Sequence, residues 1–300
     1  MQAAFDRSGH TLLKTIVSFL LYIGVYYYFF QGNLKWLVIL TGVILVHEAG
    51  HFIAMKGFGY KDVRLFFIPF LGAFVSGEPN IVSQRQRIVT LLAGPLPGIL
   101  AGLLFFILFL QVHQPIYYQL SFALVMLNAF NLLPVTPLDG GQLLENLFFR
   151  LSGKMQLAFL VASAVLLFCL AVYMNSYFIV FIVWFIVIRY RKLSIIYKVR
   201  NALDKGNLDY SRNYDDLTDE EYMTIRRIMI KHVRTLKQHD PEMLSPDEGD
   251  ILAYLNKVLI PPLQNEISVR EKIIIIALWV VLLLIPFMVY SKYSVVHLTA

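Results

Sequence analysis

Long segments almost without charged side chains restrict what this chain can fold into more than any other feature of its sequence. Four of them cover residues 34–46, 99–110, 157–172 and 273–286. Only 15% of the 300 residues are charged, against about 25% in an ordinary soluble domain. This distribution favours membrane-spanning helices over one large soluble core.

The apolar segments predict an all-α polytopic membrane protein with about seven transmembrane helices. The predicted spans lie at about 12–30, 34–56, 88–110, 118–137, 155–173, 176–189 and 272–290. Loops rich in lysine and arginine alternate with loops that have few or none. The positive-inside rule therefore places the N-terminus and residues 190–271 in the cytosol and the C-terminus outside. The first span ends in aromatic residues and not in the small residues of a signal-peptide cleavage site. We therefore predict that it is not cleaved off and stays in the protein as a membrane span.

Charge and cysteine content exclude several classes of function. The formal net charge is +6, but the basic residues lie beside apolar segments, where they orient a protein in a lipid bilayer. No basic patch is interleaved with exposed aromatic residues, so we predict no nucleic-acid partner. The single cysteine, Cys169, allows neither an internal disulfide nor a thiolate metal cluster.

Residues 190–271 form the one clearly soluble block, and we predict a small, mostly helical cytosolic element there. Thr218 to Glu221 reads as a capping box that opens a helix reaching about Lys237. A second capping box begins at Ser245, and its helix closes before Pro261. Two roles stay open for this block: a linker packed on the membrane part, and a regulatory or substrate-docking element.

The apolar stretch between the second and third spans is interrupted by Pro69, Gly72 and Gly77. These residues favour extended or hairpin structure over residues 63–77. Irregular backbone at membrane depth needs protein or a water-filled cavity to satisfy its polar groups. The stretch is therefore either a re-entrant β-hairpin-like loop against a functional site or an ordinary surface hairpin.

The sequence His47-Glu48-Ala49-Gly50-His51 predicts a metal site at the end of the second span. On a helix, positions i and i+4 project from one face, so both imidazoles can bind one metal ion. Glu48 lies about 100° around the helix from His47, which suits a base that acts on water. Ionisable residues inside a span are costly and mark function by default.

Two histidines leave a catalytic metal site short of one protein ligand. Asp139 is the strongest candidate, because Pro134, Pro137, Gly140 and Gly141 break the helix around it and free its carboxylate to turn inward. The second and fourth spans run in the same direction, which places His47 and Asp139 at similar depths. Other candidates are less suited, since they lie in loops, flanks or the soluble block: Glu145, His10, His113, His297, His232 and His239.

Two asparagines precede this break within the fourth span. Asn131 either donates a hydrogen bond to the oxyanion that develops during cleavage of a peptide or bonds a neighbouring helix. For Asn128, a hydrogen bond between helices is the favoured interpretation.

Together these motifs resemble the site-2 protease family of intramembrane zinc metalloproteases. The resemblance is carried by His47 to His51 at the end of one span and by Asn131-x-x-Pro134-x-x-Pro137-Leu138-Asp139-Gly140-Gly141 two spans later. It implies Zn²⁺ held by His47, His51 and Asp139, with Glu48 as general base and proton shuttle and Asn131 as a substrate contact. It also implies that residues 63–77 resemble the family's membrane-dipping hairpin, which pairs with an unwound substrate strand.

We therefore predict an intramembrane zinc metalloendopeptidase that cleaves membrane-protein segments near the cytosolic face, in a bacterial cytoplasmic membrane. The alternatives are a non-proteolytic membrane metal-binding or scaffold protein, and a metal transporter. Glu48 argues against a purely structural site, and the scarcity of ionisable residues in the last three spans argues against a transporter. The predicted division is an N-terminal span (1–33), a catalytic membrane core (34–145), additional spans (146–189), the cytosolic block (190–271) and a last span with its tail (272–300). The sequence makes no prediction of oligomeric state.

Overall fold

The computed structural model describes residues 16–28, 33–68, 72–78, 83–149, 152–173, 175, 177–243, 248–260 and 267–291. The chain divides into two compact units. The first combines Met1–Asn146 with Glu266–Ala300, and the second is Leu147–Asn265. The second unit is therefore inserted between two segments of the first.

The first unit consists of helices and one small sheet. Its helices are α1 (Ile16–Tyr28), α2 (Leu34–Gly57), α3 (Gln84–Ala93), α4 (Pro95–Val112), α5 (Pro115–Asn131), α6 (Asp139–Leu144) and α11 (Val269–Tyr290). A short π-helix, Glu145–Phe149, continues α6. Side-chain caps and prolines fix several helix starts: Asn33 accepts from the backbone of Trp36, Ser83 accepts from Gln86, and Pro95 and Pro115 occupy first-turn positions.

Among the described residues, four helical segments are long and apolar enough to cross a membrane: Leu34–Gly57, Gln84–Val112, Gly153–Tyr173 and Val269–Tyr290. They match the second, third, fifth and seventh predicted spans. The segment predicted at 118–137 is instead α5, whose 17 residues end at Asn131 because the following loop contains Pro134 and Pro137. Residues 16–28 of the predicted first span form the shorter helix α1, and the predicted sixth span forms part of a longer helix. The count of seven stays a prediction.

The predicted hairpin is confirmed as a two-stranded antiparallel sheet. Strand β1 (Lys61–Ile68) pairs with β2 (Gly72–Glu78), with Leu65 opposite Val75 and an irregular register between Lys61 and Arg64. The Pro69-Phe70-Leu71 connection lies outside the described residues. Both strands pack against α2, so the sheet lies beside the helix that carries the histidines.

The second unit contains α7 (Gly153–Tyr173), α8 (Tyr177–Lys205), α9 (Asp219–His232) and α10 (Gly249–Val258). Its buried core joins the end of α8 to α9 and α10 through Leu203, Met229 and Leu255. The capping box predicted at Thr218 and Glu221 is confirmed. Helix α9 ends at His232, before the predicted Lys237, because the buried Val233 adopts an extended conformation. Of the second predicted capping box, Ser245 to Asp247 lie outside the described residues.

Candidate metal centre

Helix α2 brings His47, Glu48 and His51 into the protein interior. Their exposed fractions are 4%, 8% and 8%, whereas the neighbouring Val46 is 42% exposed. One face of this apolar helix therefore carries three ionisable side chains inward. Since burying such groups without partners is very unfavourable, their surroundings must compensate for the lost solvation.

The loop between α5 and α6 places Asp139 opposite the two histidines. Leu132, Val135 and Thr136 are almost fully buried and anchor the loop. A hydrogen bond from the Thr136 hydroxyl to Glu145 Oε1 (2.8 Å) ties the loop to the π-helix after α6. Asp139 then begins α6, and its side chain is 12% exposed.

Three ligand atoms converge at this point. The Nε2 atoms of His47 and His51 are 3.1 Å apart, and each is 3.2 Å from Asp139 Oδ2. Ligands at tetrahedral angles around a zinc ion are separated by about 3.3 Å when the bonds are near 2.0–2.1 Å. Among the described residues, this is the one group of three or more His, Cys, Asp or Glu side chains close enough to hold a metal ion.

Neighbouring helices determine which nitrogen of each histidine is free to bind a metal. His47 Nδ1 is 2.8 Å from Asn128 Oδ1, and His51 Nδ1 is 2.8 Å from the Thr90 carbonyl oxygen. Both oxygens only accept hydrogen bonds, so both Nδ1 atoms donate. In the neutral form that binds a metal, each ring then directs the lone pair of its Nε2 inward.

These lone pairs face each other and the carboxylate, and Asp139 Oδ2 is buried without a hydrogen-bond donor. With both rings neutral, three electron-rich atoms at this spacing repel one another unless a metal ion lies between them. The donor set of two imidazoles and one carboxylate fits zinc and leaves a fourth position open for water or substrate. The residues present therefore fit the metal.

Glu48 lies beside this cluster without contributing one of its three ligand atoms. The backbone N–H of Val75 on β2 interacts with the Glu48 carboxylate. The hairpin therefore lies directly next to the residue that the sequence suggests as the base.

Asn128 also contributes to the site, because its side chain bonds His47. Its Nδ2 donates to the Leu124 carbonyl oxygen (2.7 Å), which fixes the orientation of the amide and directs Oδ1 at His47. The predicted hydrogen bond between helices is thus present, and it is made to a candidate metal ligand. Asn131 donates to the Leu127 carbonyl oxygen of its own helix at 3.3 Å, and its role as a substrate contact stays a prediction.

Replacing Asn128 by Ala should lower zinc affinity by about 10–100-fold, since the hydrogen bond that orients His47 is lost. Equilibrium competition with a chromophoric chelator would measure the affinity. Asn146→Ala is a matched control, because its side chain bonds the Gln142 carbonyl oxygen within its own helical segment. Equal zinc affinity in wild type and Asn128→Ala would contradict this role.

Helix α4 approaches the Asn128 amide closely at Gly98. A Cβ atom placed on Gly98 would collide with the amide nitrogen and carbon of Asn128. The absence of a side chain at Gly98 therefore lets α4 and α5 approach closely enough to hold the Asn128 side chain in place.

Gly98→Ala should destabilise the protein by about 1–3 kcal/mol, through overpacking, and weaken zinc binding by displacing Asn128. Gly42→Ala is the control, since a Cβ there meets nothing within 4 Å. Thermal unfolding in detergent and zinc affinity would be compared for both variants. A Gly98→Ala protein as stable as Gly42→Ala would show that the close approach is not needed.

The residues judged less suited as ligands from the sequence do not belong to this group where the structure describes them. Glu145, the nearest rival of Asp139, accepts the hydrogen bond from Thr136 and holds the loop in place. His113 caps the end of α4, and His232 and His239 belong to the second unit. His10 and His297 lie outside the described residues.

A histidine pair and an aspartate that converge among apolar helices define a membrane protein with a catalytic type of metal centre. Residues 35–125 and 112–174 match the model of peptidase family M50. This match confirms the resemblance to site-2 proteases, and the chain is an integral membrane protein.

Two curated relatives each match about two fifths of the chain. The stage IV sporulation protein FB of Bacillus subtilis is 31% identical over 121 residues, which cover 40% of this chain and 42% of the relative. A zinc metalloprotease of Methanocaldococcus jannaschii is 27% identical over 124 residues, covering 40% and 36%. The match thus spans about two fifths of each relative. A solved site-2 protease from M. jannaschii aligns with a TM-score of 0.44 and 21% identity over 61% of this chain and 88% of that one.

Proposed function

We propose that this protein is a zinc endopeptidase that cleaves membrane-embedded protein segments near the cytosolic face of the membrane. The observation that carries the proposal is the convergence of Asp139 on His47 and His51 of the apolar helix α2, next to Glu48. One relative is named a zinc metalloprotease, and the match to family M50 includes both His47 and Asp139.

In this proposal His47, His51 and Asp139 hold the metal. Bound zinc supplies Lewis acidity, which makes water more acidic and polarises the scissile carbonyl group. Glu48 removes a proton from the attacking water and later delivers a proton to the leaving nitrogen. Asn131 donates a hydrogen bond to the oxygen that gains negative charge during the attack.

The substrate is proposed to bind in an extended form. A transmembrane helix uses its own carbonyl groups in hydrogen bonds, so it must unwind locally before hydrolysis. The β1–β2 hairpin lies beside Glu48 and offers backbone groups to such a strand. Membrane proteins and lipid are thus the proposed partners.

The finer topology also belongs to the proposal. We place seven spans in a bacterial cytoplasmic membrane, with the N-terminus in the cytosol, as the distribution of basic loops predicts. The predicted division of the chain at residues 33, 145, 189 and 271 stays a prediction.

The alternative is a membrane protein that binds metal or partners without cutting them. Glu48 favours the protease, because a structural site needs no base and ordinarily closes its fourth coordination position.

A reconstituted assay would separate the two functions. The protein in liposomes is incubated with a panel of single-span substrates before and after removal of metal by a chelator, and again after zinc is restored. We expect cleavage to be lost when the metal is removed and regained when zinc is restored. Mass spectrometry of the products should place the cut near the cytosolic end of the substrate. His232→Ala, in the second unit, should behave as wild type. Zinc binding without cleavage of any substrate would favour the non-proteolytic alternative.

A further inference from the structure

Helix α11 makes a direct hydrogen bond to the loop that carries Asp139. The indole Nε1 of Trp279 on α11 donates to the Leu132 carbonyl oxygen at 2.8 Å. Leu132 is fully buried and follows α5 directly. Carbonyl groups at a helix end have no partner within the helix, so an outside donor can determine where they lie.

The same carbonyl oxygen is in contact with the first turn of α6. A Cβ atom on Gly140 would collide with the Leu132 oxygen, so the two backbones lie against each other there. Gly140 is the residue after Asp139. The Leu132 carbonyl group therefore lies between the Trp279 indole and the backbone that positions the Asp139 carboxylate.

Contacts near both ends of helix α11 hold it against other helices of the first unit. Near its start, the backbone N–H of Ile267 donates to Gln84 Oε1 at 3.2 Å, and Arg85 lies 3.5 Å from Glu271. Near its end, the Tyr290 hydroxyl bonds that of Ser121, and its ring contacts Phe106, Tyr118 and Phe122. Helix α11 is thus held near both of its ends.

We propose that Trp279 is a positioning residue for the metal centre. Its indole N–H holds the Leu132 carbonyl group, the carbonyl group supports the first turn of α6, and this turn sets where Asp139 Oδ2 lies relative to the two histidines. The inference rests on the proposed metal site. It adds a contributor from outside residues 35–174, the part of the chain that matches family M50.

Cobalt binding provides the test, because the visible absorption of Co²⁺ reports the geometry of its ligands independently of proteolysis. The full-length metal-free protein in detergent is titrated with Co²⁺ as wild type and as Trp279→Phe, which keeps an aromatic ring and removes the donor. We expect about fivefold weaker Co²⁺ binding, the effect of losing one neutral hydrogen bond. The absorption bands should also change in position or intensity.

Two control variants separate the hydrogen bond from other effects. Tyr290→Phe loosens α11 at its other end without touching Leu132, and Trp36→Phe makes the same chemical change in a half-buried tryptophan of the first unit. Both should keep the affinity and spectrum of wild type. Thermal unfolding of each metal-free variant shows whether it is folded.

Each outcome bears on the proposal. A Trp279→Phe protein with wild-type affinity and spectrum overturns the positioning role and leaves the proposed function intact. Equal losses in Trp279→Phe and Tyr290→Phe also overturn it, since general loosening of α11 would then be the cause. If the wild-type protein binds no Co²⁺, both this inference and the proposed metal site are wrong.

Discussion

Replacing Glu48 by Gln is expected to reduce the rate of peptide cleavage by about 10²–10⁴-fold, the usual contribution of a positioned general acid–base group. Glutamine has nearly the same shape as glutamate, but its amide cannot take a proton from water. Because Glu48 contributes none of the three ligand atoms that converge, the variant should bind zinc with wild-type affinity. The measurement is the initial rate of cleavage in liposomes, with bound zinc determined on the same samples.

Glu145→Gln is the matched control for this variant. Glu145 is a half-buried acid of the same unit. In the variant, the glutamine side chain can still accept the hydrogen bond from Thr136. It should therefore retain most of the activity. A Glu48→Gln protein that cuts at the wild-type rate would falsify the role of Glu48, and one that loses zinc would show that Glu48 supports the metal instead.

Replacing Asp139 by Ala should lower zinc affinity by more than about 100-fold. The loss is larger than that expected for a residue that only orients a ligand, because Asp139 is itself a proposed ligand. The two remaining histidines still present their Nε2 atoms, so weak binding persists at high zinc concentration. Chelator competition measures the affinity, and cleavage should disappear at concentrations of free zinc that saturate wild type.

Asp219→Asn, on the first turn of α9 in the second unit, controls for the general loss of an acidic group. It should bind zinc as wild type does. If Asp139→Ala retains full affinity, the third ligand is a different residue, and Glu145 would be the next to test.

The candidate ligands could be found from the sequence because each is tied to a local pattern. The spacing of His47 and His51 places both on one face of any α-helix, whatever packs around it. Asp139 stands out because prolines and glycines interrupt an apolar segment around it. In the structure the three candidate ligand atoms lie within 4.8 Å of one another, and their role as metal ligands stays a prediction.

The sequence could not show which of Asn128 and Asn131 makes a hydrogen bond to His47. The two residues are one helical turn apart, so they lie on neighbouring parts of the same face. Which one meets His47 depends on how α5 is rotated and on the close approach of α4 at Gly98, and both follow from packing. The hydrogen bond from Trp279 to Leu132 joins residues 147 positions apart, so no local sequence pattern can predict it.

The limits of the helices were also only partly predictable. Composition shows where apolar segments lie, but backbone chemistry decides where a helix stops. Helix α5 ends before Pro134, whereas α8 continues past Arg189 to Lys205 because charged residues do not break a helix. The segment Gln84–Val112 is interrupted at Gly94, where Pro95 begins α4.

The insertion of one unit within the other sets an order for biosynthesis. A ribosome releases His47, His51 and Asp139 early, and then makes all of Leu147–Asn265 before it reaches Val269–Tyr290. A nascent chain that has just completed Asp139 therefore contains the three candidate ligands but not the helix that donates to Leu132. The first unit can finish its packing only after translation has passed the second, so maturation of the metal centre is expected to follow synthesis of the second unit.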